Sequence, residues 1–270
     1  MRALVLLSLL CAATLGAAFA QAERTFSADR SSALELLPDL DQEAPWGLRV
    51  ESHRSGGSTS YQLGFGSAVR NIGRGPLILD GHRDDAATPT MTADQVLDRT
   101  DGGLSVIRRV GRLAFVDAST HQHWHLLGFD RYELRRADSG ATVVADRKTG
   151  FCLGDRYPVR TLPLVGKPLE PKYRSRCGLD RPGLLGIREG ISVGYGDDYA
   201  ANLEGQYLPL KGLSPGRYLL VHTANADRRI LESSYDNNAA SLLVRLSRHR
   251  GQPRVRVLGI CPDSEHCAPR

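Results

Sequence analysis

From Trp46 onward, apolar and polar residues alternate with a period of two along most of the chain, which is the signature of half-buried strands rather than helices. TSYQLGFGSAVRN, LSVIRRV, RLAFVDA, HWHLLGFDRYEL, ATVVAD, GRYLLVHTA, ASLLVRL and PRVRVLGI each read as strand, and NIGRGPLIL enters an apolar run through a Gly-Pro turn. Gly, Asp-Ser-Gly and Ser-Pro-Gly break these runs at intervals of roughly ten residues, the rhythm of sandwiches and barrels. The pattern predicts an all-β, β-sandwich-like domain with long irregular loops and little helix. Helix is expected only around residues 32–37, stopped by Pro38, and at 92–97, where Thr92 would cap; a turn is expected at 199–203. Residues 155–190 break into prolines, glycines and charges, too long a stretch for a plain loop, and are predicted to lie over or beside the functional site.

Before the alternating region stand two different segments. Residues 1–20 carry one cation, Arg2, then an apolar run ending in Ala18-Phe19-Ala20, as a signal peptide cut after Ala20 would. Residues 21–45 read as a polar N-terminal arm, and 46–270 as one domain with a basic C-terminal extension. A secreted or periplasmic location follows, and with it a use for the four cysteines that remain. Cys152 with Cys177 and Cys261 with Cys267 is the more local of the three pairings open to them.

Charge adds little. The net charge is +5, and Arg245, Arg248, Arg250, Arg254 and Arg256 contribute to it at spacings that put them on the outer face of strands. A solvated edge is the plain reading, an anionic cell-surface polymer the alternative. No aromatics are interleaved with these arginines, which argues against nucleic acid.

The chemistry is concentrated in THQHWH. His121, His123 and His125 are three of eight histidines in the chain and occupy alternate positions. On a strand they project from one face, but the outer pair would stand roughly 13 Å apart at ideal rise, so a bulge or curve near His123 is expected. Imidazoles with no thiol nearby suit copper, zinc, nickel or iron and leave a coordination position open. His222, in mid-strand, reads as structural, and Trp124 as packing on the opposite face. Asn237 and Asn238 read as closing a turn.

HQHWH, FDRYEL, KTGFCLGD, YGDD, LSPGRYLL and LESSYDNN, in that order, resemble the catalytic domain of the lysyl oxidase family, from about Trp46 to Leu246. The resemblance implies copper held by His121, His123 and His125. It also implies lysine tyrosylquinone formed from Lys148, three residues before Phe151-Cys152, and Tyr195, which opens YGDD. The activity implied is oxidative deamination of a primary amine or peptidyl lysine to an aldehyde by O2, releasing NH3 and H2O2. Asp197 and Asp198, closest to Tyr195, are the candidates for the base. Thr120 stands where the animal enzymes have a cysteine, and other cysteines near the tyrosine are missing, as in a reduced, bacterial-type relative. Against this stand two other readings, a non-catalytic copper-binding or cell-surface β-sandwich module and a three-histidine zinc hydrolase.

Overall fold

The computed structural model describes residues 33–118, 121–145, 150–160, 163–174, 176–203 and 205–267, with only the backbone of His121. Among the described residues seventeen strands follow in order. They are β1 (Glu35–Leu36), β2 (Leu40–Gln42), β3 (Trp46–Ser55), β4 (Ser58–Asn71), β5 (Leu77–His82) and β6 (Thr90–Arg99). Next come β7 (Leu104–Ala118), β8 (His121–Leu126), β9 (Asp130–Arg136), β10 (Thr142–Ala145), β11 (Tyr157–Pro158) and β12 (Gly186–Ile191). The last are β13 (Tyr195–Tyr199), β14 (Tyr207–Pro209), β15 (Gly216–Ala224), β16 (Ala239–His249) and β17 (Gln252–Cys261). All pair antiparallel, in three sheets ordered β12-β5-β6-β7-β8, β10-β9-β15-β16-β17 and β11-β13-β4-β14, with β1 added on β6 and β2 and β3 on β4. The all-β class read from the alternation holds.

The three sheets close on one large core. Phe65 meets Tyr132 and His222 there edge to face, at 5.0 and 4.7 Å, and the histidine ring lies tilted 4.2 Å from Tyr132. His222 is thus a core side chain, as its mid-strand position suggested. Leu63, Leu77, Leu79, Met91, Leu113, Trp124 and Leu242 are buried around it, and burial of such side chains is the main favourable term in folding.

Three expectations are corrected. Residues 92–97 are not helical but form the centre of β6, flanked by β5 and β7. Burial there runs unbroken from Ala93 to Leu97, on both faces of the strand, so the period-two signal vanishes and an apolar cluster of helix-like spacing remains. The helical signal at 32–37 gives way to β1, and the described part of the predicted arm is woven in: Leu40, Asp41 and Gln42 are all buried against β4. LSVIRRV and RLAFVDA are one strand, β7, bent where Arg109 takes φ 60° opposite a register shift at Asp94. The turn at 199–203 is present, closed by Leu203 N–H donating to the Ala200 carbonyl at 3.0 Å.

Candidate metal and cofactor site

β8 pairs with β7 in unbroken register from Leu113↔Leu126 to Ala118↔His121. The bulge expected near His123 is therefore absent. Regular pairing still puts alternate residues on opposite faces. Trp124 is buried inward, its indole 5.7 Å from Phe115 and its Nε1–H donating to the Arg181 carbonyl at 3.2 Å. His123 and His125 point the other way, ring centroids 4.6 Å apart. The register carries that face across the sheet, from His125 to Ala114 and Thr90, and from Arg112 to Thr92 and His82. On the same face, three strands over, lies a trough of about 520 Å³ lined by Asp80, His82, Asp94, Arg108 and Arg188. Arg188 is paired with Asp80 at 2.6 Å and Arg108 with Asp94 at 2.7 Å.

An outward histidine on a sheet edge should be open to water, yet His125 is only 4 % exposed. Other chain segments pair with the edge of β8 beside it. Gln122 O accepts from Asp180 N–H at 2.7 Å, Trp124 N–H donates to Cys177 O at 2.8 Å, and Leu126 exchanges two bonds with Phe151 at 2.8 and 3.0 Å. The Cys152–Cys177 disulfide staples the two covering segments to each other, and capping of this kind removes the hazard of an unpaired edge. Arg83 adds a clip: its guanidinium lies 4.7 Å from the Trp124 ring and donates to the carbonyls of Leu184, Ala86, Thr88 and Pro182. The crossing also requires a glycine. A Cβ on Gly150, at φ +151°, would sit 2.3 Å from Leu126 O and 3.1 Å from His125 Cβ.

Just beyond this crossing, three successive backbone N–H groups each meet a different ionisable side chain. Cys152 N–H donates to the Tyr199 hydroxyl at 3.0 Å, Leu153 N–H to Glu189 Oε2 at 3.3 Å, and Gly154 N–H to Asp197 Oδ2 at 3.3 Å. The Tyr199 hydroxyl faces Cys152 O at 2.9 Å and Asp197 Oδ2 at 3.5 Å, and its ring packs on Phe151 at 4.9 Å. Arg156 Nε stands 3.4 Å from Asp197 Oδ1. Asp155 fixes the end of the strip by accepting from Ser192, Lys172 and Tyr173. Burial drives the Tyr199 phenol well above its ordinary range, and the charges of Asp197 and Glu189 push the same way. Burial likewise raises Glu189 well above the usual carboxylate range, opposed by the Leu153 N–H and by Arg156.

Not all of the predicted site residues come together here. Lys148 lies outside the described residues, but Gly150, two positions on, rests against His125. Tyr195 is buried and turned elsewhere, its hydroxyl 3.4 and 3.3 Å from the carbonyls of Pro168 and Leu169 and its ring under Lys167. Asp197 is 1 % exposed, whereas Asp198 projects from the opposite face into solvent. Both disulfides have the expected pairing. Tyr199, Glu189 and Arg156 were missed by the sequence reading. A signal for Tyr199 was present, because Tyr195, Asp197 and Tyr199 share one strand face, but a turn had been placed over its end. The 155–190 segment does reach the histidine strand, through Cys177 and Asp180.

Among the described residues no three His, Cys, Asp or Glu side chains converge on a metal position, and the His121 side chain is not among them. The donor set that is described fits: two imidazoles on one face, beside a covering chain, are nitrogen ligands of the kind copper takes.

An all-β protein with a paired-histidine strand capped by a disulfide-stapled crossing is the class that fold and site define. Residues 108–254 match the Lysyl oxidase family model, more than half of the chain, and the chain belongs to the lysyl oxidase family. It is similar to protein-lysine 6-oxidase of Rattus norvegicus, 28% identical over 132 residues that make up 48% of this chain and 28% of that protein. It is also similar to lysyl oxidase homolog 1 of Homo sapiens, 30% identical over 124 residues, 44% of this chain and 18% of the relative. The chain therefore aligns with a minor part of the length of each.

Proposed function

We propose that the protein is an exported copper amine oxidase. His121, His123 and His125 would hold the copper, and Lys148 with a tyrosine would form lysine tyrosylquinone. That pair of groups supplies the redox chemistry that turns a primary amine and O2 into an aldehyde, NH3 and H2O2. The observation that carries this reading is the convergence at β8: the imidazole pair, the chain leaving Lys148, and the half-buried Tyr199 phenol all lie around the Cys152–Cys177 bridge.

On that geometry we assign the phenol to Tyr199 in preference to Tyr195, the residue suggested by the YGDD motif. Tyr199 is bonded to Cys152, four residues from Lys148, while the Tyr195 hydroxyl faces Pro168 and Leu169. Of the two candidate bases, Asp197 lies beside this phenol and Asp198 does not. The trough on the histidine face, lined by charges of both signs, supports a peptidyl lysine as substrate over a small free amine.

Copper-loaded protein treated with phenylhydrazine should give a coloured adduct, and peptide mapping should find Lys148 joined to Tyr199. A cross-link to Tyr195 returns the role to the motif residue. Copper bound with no colour and no cross-link points to a binding module, and zinc in its place to a hydrolase.

A further inference from the structure

The basic strands near the C-terminus have no part in the proposed chemistry. Strand register assembles their arginines, together with Arg217, into one row. Arg217 on β15 stands directly opposite Arg245 on β16, which stands directly opposite Arg256 on β17; one step along the strands, Ser247 stands opposite Arg254. Residues paired in this way share a sheet face. It is the outer face, because Leu219 and Leu243, two positions from Arg217 and Arg245, pack with Val221 and Cys267 in a small cluster separate from the main core. All four arginines are exposed. Adjacent strands lie about 4.8 Å apart, so the row of three crosses about 10 Å of sheet.

Like charges directly opposite one another repel, and the same face compensates them at its other end. There Arg135 bonds Glu133 at 3.1 Å and Glu265 at 2.7 Å, and Arg131 bonds Asp227 at 2.6 Å. Among the described residues none of Arg217, Arg245, Arg254 and Arg256 meets a carboxylate. An uncompensated row of cations is stabilised by an anion laid along it. A lipid surface suits the row poorly: the exposed Val257 and Ile260 of β17 pair with the inward Val244 and Leu242, so neither stands among the arginines to enter an acyl layer.

We propose that the outer face of β15, β16 and β17 binds a linear acidic polysaccharide, whose successive carboxylates are taken by Arg217, Arg245 and Arg256, with Arg254 beside them. A guanidinium offers two parallel N–H donors to a planar carboxylate. One carboxylate on each sugar ring gives such a chain charges at an interval close to the strand spacing. The polymer lies across the strands, on a different sheet from the histidine strand β8. This surface stands independently of the oxidase reading.

Isothermal titration of the purified protein with polygalacturonate tests the surface and needs no copper. The wild type is expected to bind, and the triple variant Arg217→Gln, Arg245→Gln, Arg256→Gln to bind about a hundredfold more weakly. The control Arg54→Gln, Arg74→Gln, Arg131→Gln removes the same charge from exposed positions outside the row and should stay within about threefold of wild type. No binding by the wild type overturns the proposal. So does an equal loss in the two triple variants, since net charge alone would then account for the binding. Vesicles of phosphatidylglycerol that bind as tightly as the polymer, with the same loss in the row variant, overturn the polysaccharide and give the row to a membrane. A length series on the wild type requires no variant to fold: trigalacturonate should bind about a hundredfold more tightly than galacturonate, and equal affinities overturn a row that takes successive charges.

Discussion

Two buried glutamates are held in opposite ways. Glu232, in the LESSYDNN turn, accepts from Asn225 at 2.6 Å, Asn238 at 2.8 Å and Leu40 N–H at 2.7 Å, so both of its oxygens are engaged. Among the described residues Glu189 has one donor for two oxygens. The first ties β2 to the turn before β16, as a structural knot whose partners were chosen for the carboxylate. The second sits among groups that disfavour its charge, beside the proposed redox chemistry. The same residue type, buried in both places, has both oxygens bonded in one and one oxygen bonded in the other, and the donor count separates the two. The Asn-Asn pair belongs to the first kind, since Asn238 bonds Glu232 and the Ala224 carbonyl while Asn237 bonds Asp39.

The sharpest way to break the comparison is to remove the knot. Glu232→Ala strands three buried donors and should cost about 4 kcal/mol in denaturant unfolding; a loss below about 1 kcal/mol would make Glu232 no different from Glu189. Opening the other side comes next. Cys152→Ser with Cys177→Ser should cost about 3 kcal/mol on the chain-entropy model, and should weaken copper retention by freeing the chain that covers β8; unchanged copper affinity would detach the bridge from the site.

The pH dependence separates the two glutamates further. Burial raises Glu232 to about 7 from an ordinary 4.5, against the pull of the two asparagines and Leu40 N–H. Its folded pKa lies above its unfolded one, so its contribution is fully present below about 4.5 and is lost as pH rises through about 7, a change of about 3 kcal/mol at most. Thermal melts across that range should show the decline in the wild type and lose it in Glu232→Gln. Burial raises Glu189 as well, so Glu189→Gln should likewise remove a decline in stability with rising pH. At neutral pH, however, Glu189→Gln should change stability by less than about 1 kcal/mol, because the amide resembles the neutral acid. A larger loss would mean that Glu189 is charged in the fold.

Much of this was legible locally. GRYLLVHTA is β15 from its first residue to its last, and the 59–71 alternation lies within β4. The histidine alternation gave two of the outward rings correctly, and the inward Trp124 with them. What misled was local in another sense. Strand β6 is buried on both faces and so lost its period, and Tyr199 at a strand end was mistaken for part of a turn. Glu189 fell in a stretch whose prolines and glycines hid the six residues of β12.

By itself, then, the sequence determined most of the strands, the face on which the imidazole pair stands and the family, because side-chain period and motif spacing are properties of contiguous residues. Tertiary structure alone decided that residues 150–154 and 177–180 would cap the edge of β8, and that Tyr199 rather than Tyr195 would meet them. Those contacts join segments tens of residues apart, and they are selected by which unpaired backbone groups and buried charges can satisfy one another, a condition that no stretch of chain carries alone.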